Sequence, residues 1–197
     1  KNRIEFDTLN SKVEKRLKRT PKIFVVSCGT AYHAGLVADY LLEEWAGIPT
    51  EAHISSEFRY SAPMIQNRDT VIFITQSGET ADTLAALRLA KRHGALTLAI
   101  VNVVGSTIAR EADCVIYTHA GPEIGVASTK AYTAQLATLA LLTLYLGQLK
   151  KTISSEKFAD RIHEFLQLPS ACAKVLKQEK TIRQCAKKHF RHRHFLY

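Results

Sequence analysis

The sequence predicts an α/β fold: a three-layer αβα sandwich with a five-stranded parallel sheet, followed by connector helices. Between residues 22 and 149, short runs of β-branched and aromatic residues alternate with segments of helical periodicity, a pattern typical of βαβ units. The clearest run, residues 70–75 (TVIFIT), is β-branched or aromatic throughout, as expected of a strand covered on both faces. Loops at 28–30 and 76–80 each contain a glycine and lead from a predicted strand into a predicted helix.

The elements follow one another in regular order. Residues 22–27 predict the first strand and residues 30–45 the helix after it, which Gly47 and Pro49 end. The larger apolar side chains of this helix share one face, which predicts its buried side. They are Tyr32, Leu36, Val37, Tyr40, Leu41 and Trp45. Further strands are predicted at 50–54, 70–75, 96–101 and 114–118, and further helices at 80–93, 106–112 and 128–149.

The helix at 128–149 has no charged residue from 131 to 149, which is long enough to span a membrane. Polar residues such as Gln135 and Thr138 interrupt the stretch. A helix that is apolar on all sides is also typical of the centre of a layered α/β domain or of an oligomer interface. We therefore predict no membrane span, and a symmetric interface is a second explanation for this helix.

The net charge of +9 is unevenly distributed along the chain. Residues 1–22 carry eight basic and three acidic side chains, residues 150–197 carry twelve and four, and residues 23–149 carry seven and eleven. The basic surplus therefore belongs to the flanks, where it is typical of solvated linkers, and no nucleic-acid partner is expected.

Composition also indicates how the chain is organised. Beyond residue 150, charged amphipathic helices are predicted at 155–168 and 170–188, separated by Pro169. Residue 1 is Lys and no charged-then-apolar leader follows, so we interpret the sequence as part of a longer chain without a secretory signal. The expected segments are an N-terminal flank at 1–21, a ligand-binding domain at 22–150 and a helical connector at 151–197.

The cysteines and glycines exclude several kinds of site. Cys28, Cys114, Cys172 and Cys185 form no CxxC pair and have no histidine at zinc-ligand spacing, which argues against disulfides and metal and favours a cytoplasmic location. No cofactor is expected. The loop at 76–80 lacks the Gly-Lys-[Ser/Thr] ending of a nucleotide P-loop, and no GxGxxG follows the first strand.

The candidate site lies where the first and third predicted strands end. A doubly wound five-stranded sheet most often has the order 2-1-3-4-5, which places these two strands side by side at the switch point where ligands bind. The loops leaving them, 28–30 and 76–80, each run into a helix N-terminus with unpaired N–H groups and a partial positive charge. With the hydroxyls of Thr75, Ser77 and Thr80, they predict a site for a monophosphate. Each loop by itself is also compatible with ordinary helix capping.

Four segments of this region carry longer motifs: 28–33 (CGTAYH), 56–60 (SEFRY), 76–83 (QSGETADT) and 123–130 (EIGVASTK). In this order they resemble the first sugar isomerase (SIS) domain of the glucosamine-6-phosphate synthases, the glutamine:fructose-6-phosphate amidotransferases. The SGET element occurs across SIS proteins generally, whereas EIGVASTK is much more specific to the synthases.

The resemblance implies a flavodoxin-like sheet and a cytoplasmic, homodimeric enzyme that makes glucosamine 6-phosphate from fructose 6-phosphate and glutamine. It further implies that Thr75, Gln76, Ser77 and Thr80 hold the phosphate, that Cys28, Gly29 and Thr30 line the sugar, and that Val126 contacts it through its backbone. The glutaminase, the second SIS domain and a partner-subunit histidine lie outside this sequence. The chain alone is therefore expected to bind sugar phosphate weakly or not at all and not to catalyse.

Two positions depart from the family pattern. Ala31 and Thr75 stand where the family usually has Ser; Thr75 keeps a hydroxyl, whereas Ala31 does not and is left out of the predicted site. Glu79 is expected to complement the dipole of its own helix, and Glu123 has both a catalytic and a structural interpretation. The alternative function is a sugar-phosphate-sensing SIS module of a transcriptional regulator, which would carry a helix-turn-helix before the domain.

Overall fold

Five parallel strands form the central sheet of the computed structural model, which describes residues 4–61, 63–125 and 127–194. The sheet has the order β2-β1-β3-β4-β5, and every neighbouring pair is parallel. The predicted fold class and strand order are therefore confirmed. The strands are β1 (Ile23–Ser27), β2 (Thr50–Ile54), β3 (Thr70–Thr75), β4 (Leu96–Val101) and β5 (Cys114–Tyr117).

Helices cover both faces of the sheet. Those of the strand-containing region are α1 (Ser11–Arg19), α2 (Thr30–Ala46), α3 (Ser55–Tyr60), α4 (Ala81–Arg92), α5 (Thr107–Glu111) and α6 (Lys130–Lys150). Alternate strand residues point to two hydrophobic clusters. Val25 and Ile72 lie in the cluster that contains residues of α1, α2 and α6, whereas Phe24 and Phe73 lie in the one that contains residues of α3, α4 and α5.

Helix α2 packs through the opposite face from the one predicted. Apart from Leu42, its buried residues are small, among them Ala34, Gly35 and Ala38, whereas Tyr40 is 77% exposed. A Cβ on Gly35 would lie 3.1 Å from Cγ1 of Val25, so small side chains are what allow the helix to approach the sheet this closely. The prediction from apolar size was wrong because close packing here requires small residues.

The uncharged helix α6 packs against α2 and α1. From 131 to 150 only Thr133 is classed as exposed, so the lack of charge follows from burial and requires no interface. In the described part of the chain, no helix is both long and apolar enough to cross a membrane.

The chain forms two compact units, Lys1–Ser154 and Ser155–Tyr197. The first includes α1, because Val13 and Leu17 are buried in its core and the Asn10 side chain accepts hydrogen bonds from the N–H groups of Lys12 and Val13 at 3.0 and 3.1 Å. The segment expected to be an N-terminal flank thus contributes a capped helix to the first unit.

The second unit contains α7 (Ser155–Leu166), α8 (Leu168–Leu176) and α9 (Glu179–His189). Pro169 lies in the first turn of α8 rather than between helices; a proline is tolerated there because its missing N–H has no partner in a first turn. The long predicted helix at 170–188 is instead interrupted at 177–178.

Candidate functional site

One cavity lies at the carboxyl ends of β1 and β3, at the predicted switch point. Six of the eight predicted site residues line it: Cys28, Thr30, Thr75, Gln76, Ser77 and Thr80. Gly29 is not among the lining residues but is the N-cap of α2, and Val126 lies outside the described residues. The cavity is also lined by Ala31, Ile74, Thr83, Glu123, Gly125, Ser128 and Gln135.

The loop from β3 to α4 requires its glycine. Gly78 has φ +70°, a left-handed conformation that L-residues with a Cβ rarely adopt. Its N–H donates to Oγ1 of Thr75 at 3.2 Å, and an added Cβ would overlap the side chain of Ser106. The tight turn brings Ser77 and Thr80 to the cavity on either side of Gly78.

The two helices that begin at the cavity have no side-chain cap. Gly29, the N-cap of α2, has φ 58°, and Thr80, the N-cap of α4, makes no capping hydrogen bond through its hydroxyl. First-turn N–H groups have no partner within their own helix, so both termini can present donors and a partial positive charge to an anion.

Hydroxyl groups continue the polar surface away from the loop. Oγ1 of Thr75 and Oγ1 of Thr80 are 3.5 Å apart. Thr83, one turn along α4, is buried; its hydroxyl lies 3.0 Å from Oγ of Ser55 and donates to Sγ of Cys28 at 4.0 Å. Sequence reasoning missed Thr83 as a lining residue, although its spacing of three from Thr80 places both on one side of a helix.

The carboxylates of Glu123 and Glu79 both accept hydrogen bonds at the start of a helix. Glu123 accepts hydrogen bonds from the Thr129 hydroxyl at 2.6 Å and from the Ala131 N–H at 2.9 Å, at the start of α6. The Thr129 hydroxyl, followed by the Ala131 N–H, lowers the pKa of Glu123. Glu79 accepts from the N–H of Thr107 at 2.8 Å, which lowers the pKa of Glu79. Glu79 therefore caps α5 and not its own helix, contrary to the prediction.

Gln135 and Ala31 are lining residues that the sequence-based site did not include. Ala31 is 8% exposed, and Gln135, on the second turn of α6, is 2% exposed. Oε1 of Gln135 is buried and has no hydrogen-bond partner in the described part of the chain. A single glutamine inside an apolar helix carries no local signal of this placement.

Two other cavities are lined by basic side chains. One contains Arg59 and Arg88, which are paired with Asp82 at 2.8 Å and Glu111 at 2.6 Å. The other lies beside α1, where Arg16 donates to the carbonyls of Asn67 and Gly94. These guanidinium groups are engaged in structural contacts. By contrast, the described lining of the cavity at β1 and β3 includes no Lys, Arg or His.

The family model described as SIS domain matches residues 16–145. The chain is 52% identical over 173 residues to the glutamine-fructose-6-phosphate aminotransferase (isomerizing) of Chlorobaculum tepidum, covering 88% of this chain and 28% of that protein. It is 49% identical over 189 residues to the enzyme of the same name from Caldanaerobacter subterraneus, covering 96% and 31%. The chain thus spans about three-tenths of the length of these relatives.

The fold also has a close counterpart among solved structures. The C-terminal domain of glucosamine-fructose-6-phosphate aminotransferase from Francisella tularensis aligns with a TM-score of 0.89 and 36% identity, covering 94% of this chain and 52% of that one.

Proposed function

Because the chain belongs to the SIS domain family, we propose that it is the sugar-phosphate-binding half of the isomerase region of a glutamine-dependent fructose-6-phosphate aminotransferase. The observation that carries the proposal is the convergence of two helix N-termini without side-chain caps on one cavity lined by hydroxyls. The names of the relatives favour this function over a sensing module of a transcriptional regulator.

The phosphate binds at the loop from β3 to α4. The first-turn N–H groups of α4 and the hydroxyls of Ser77 and Thr80 donate to its oxygens, with Thr75 and Gln76 completing the loop. Hydrogen bonds to a charged group contribute about 1.5–3 kcal/mol each. The helix dipole and these donors make a lysine unnecessary. Cys28, Gly29, Thr30 and the backbone of Val126 line the sugar.

Of the two expectations, weak binding or none, the open helix N-termini favour weak binding. The chain on its own binds sugar phosphate weakly and does not isomerise it. Moving a proton between C1 and C2 of a ketose requires a positioned base, and Glu123, the carboxylate in the described lining, is engaged at the start of α6. The base and the ammonia therefore come from the second SIS domain and the glutaminase, which would belong to the remaining seven-tenths of the relatives' length. Formation of glucosamine 6-phosphate from fructose 6-phosphate and ammonia by this chain alone would contradict the proposal.

The intact protein acts in the cytoplasm as a homodimer. The four cysteines are free thiols, which suits a reducing compartment. Analytical ultracentrifugation of the intact protein tests the oligomeric state, and a monomer at micromolar concentration would contradict the dimer.

The test of the binding site is a titration of fructose 6-phosphate followed by NMR. A few charge-assisted hydrogen bonds set against the cost of association predict a Kd of about 1 mM or weaker. The double variant Ser77→Ala, Thr80→Ala loses two donors, so we expect binding at least about tenfold weaker. The matched control is Thr8→Ala, Ser11→Ala, which removes two exposed hydroxyls near α1. Equal binding by the unmodified chain and the Ser77 and Thr80 variant would refute the site.

A further inference from the structure

Gln135 is the one residue of the described cavity lining with a buried side-chain atom that lacks a partner. It is 2% exposed and lines the cavity from α6, and its Oε1 has no hydrogen-bond partner in the described part of the chain. Buried polar groups are nearly always satisfied, so an exception at a binding cavity points to a partner that the ligand supplies.

The chemistry of an amide oxygen restricts what that partner is. Oε1 of Gln135 can only accept a hydrogen bond. Phosphate oxygens at neutral pH are acceptors as well, so the phosphate group is not the partner. The group that meets Gln135 must carry a donor hydrogen, as a hydroxyl of a sugar does.

The two sides of the cavity offer different groups. Donors from Ser77, Thr80 and the start of α4 lie on the side of β3. The unpartnered acceptor Oε1 of Gln135 belongs to α6, and Ser128 before that helix adds a hydroxyl. A ligand that matches both sides has an anionic end and a hydroxylated end.

We infer that Gln135 accepts a hydrogen bond from a hydroxyl on the carbon skeleton of the ligand, and so selects phosphorylated polyols over simple phosphate esters. The inference rests on the proposed function, because it takes the β3–α4 loop as the phosphate site. It makes Gln135 a specificity-determining residue at the opposite side of the same cavity.

The test compares fructose 6-phosphate, butyl phosphate and inorganic phosphate on the unmodified chain and on Gln135→Met, which keeps the volume and removes the acceptor. We expect Gln135→Met to bind fructose 6-phosphate about tenfold more weakly. Binding of butyl phosphate and inorganic phosphate is expected to change less than twofold, since neither offers a hydroxyl hydrogen from a carbon skeleton.

Stability supplies a second readout. Replacing an unsatisfied buried acceptor by an apolar group of similar shape is neutral or stabilising, so the unliganded Gln135→Met variant is expected to melt at the same or a higher temperature. A purely structural glutamine would lose stability instead. The matched control is Ser27→Ala, because Oγ of Ser27 is also buried without a partner but does not line the cavity. It is expected to leave the affinity for fructose 6-phosphate unchanged.

The outcomes separate this inference from the proposed function. If the unmodified chain binds none of the three phosphates, both fail. If it binds them through Ser77 and Thr80 but Gln135→Met leaves the preference for fructose 6-phosphate over butyl phosphate unchanged, only the role of Gln135 fails. Should Gln135→Met not fold, the side-chain amide signal of Gln135 in the unmodified chain decides. If the inference holds, this signal shifts when fructose 6-phosphate is added but not when butyl phosphate is added. If the inference is wrong, the signal shifts equally with the two esters or with neither.

Discussion

Helices α1 and α6 begin against a side-chain acceptor, whereas α2 and α4, which begin at the cavity, do not. Asn10 accepts from the first turn of α1, and Glu123 accepts from the first turn of α6. Gly29 and Thr80 leave the corresponding donors of α2 and α4 without such a cap. A missing cap costs about 1 kcal/mol of stability.

The difference sets α2 and α4 apart from α1, α5 and α6, although α3, α8 and α9 also begin without a side-chain cap. At α1, at α5 through Glu79 and at α6 through Glu123, the chain supplies the acceptor itself. At the cavity the donors stay available, and under the proposed function the phosphate is their acceptor. The comparison predicts that changes at α1 and α6 alter stability without altering binding, and that the reverse holds for donors at α4.

The largest effect is expected at the turn that leads into α4. In Gly78→Ala, the alanine must adopt a left-handed backbone conformation, and its Cβ overlaps the side chain of Ser106. We expect the two effects together to lower the free energy of unfolding by about 3 kcal/mol. The control is Gly105→Ala, because Gly105 has nearly the same φ of +71° but no atom within 4 Å of an added Cβ. It is expected to lose only about 1 kcal/mol. Urea denaturation measures both, and equal losses would show that the overlap is relieved at no cost.

The next effect distinguishes the two kinds of helix end directly. Asn10→Ala is expected to lower the free energy of unfolding by about 1 kcal/mol and to leave the binding of inorganic phosphate unchanged. Thr80→Ala is expected to lower it by less than about 0.5 kcal/mol and to weaken phosphate binding. Urea denaturation gives the free energy of unfolding of each variant, and NMR titration gives its affinity for inorganic phosphate. A stability loss for Thr80→Ala as large as that for Asn10→Ala would remove the distinction.

Much of this arrangement was accessible from the sequence, because local signals and one topological rule determine it. The β-branched runs specify buried strands such as Thr70–Thr75. The strand order 2-1-3-4-5, usual for doubly wound sheets of five strands, places the ends of β1 and β3 together. The loops after these strands, and six of the eight residues predicted from them and from the family motifs, therefore line one cavity.

What the sequence did not reveal depends on contacts between distant elements. The buried face of α2 is the side with Ala34 and Ala38, because its neighbours require a close approach that apolar size does not predict. Glu79 caps α5, which begins 28 residues later. Gln135 becomes significant only once α6 is placed beside the cavity. The sequence analysis does not include helix α1, although Asn10 followed by Val13 and Leu17 is a local signal for it, because its many charged residues are also typical of a solvated linker.

The smallest effect is expected at Glu123. It tests whether the N–H groups at the start of α6 already have their acceptor within the chain. Its hydrogen bonds with Thr129 and Ala131 hold the pKa of Glu123 below the usual 4.5. The carboxylate therefore stabilises the fold above about pH 4.5, and this contribution is lost as the pH falls through the lowered pKa. Because the group is exposed, solvent screens the effect. We expect Glu123→Gln to melt slightly below the unmodified chain at pH 7, with the gap narrowing as the pH falls below 4.5, and to bind inorganic phosphate equally well. A gap that persists at low pH would mean that charge does not matter here. Altered phosphate binding would instead mean that the N-terminus of α6, like those of α2 and α4, takes part in binding the phosphate.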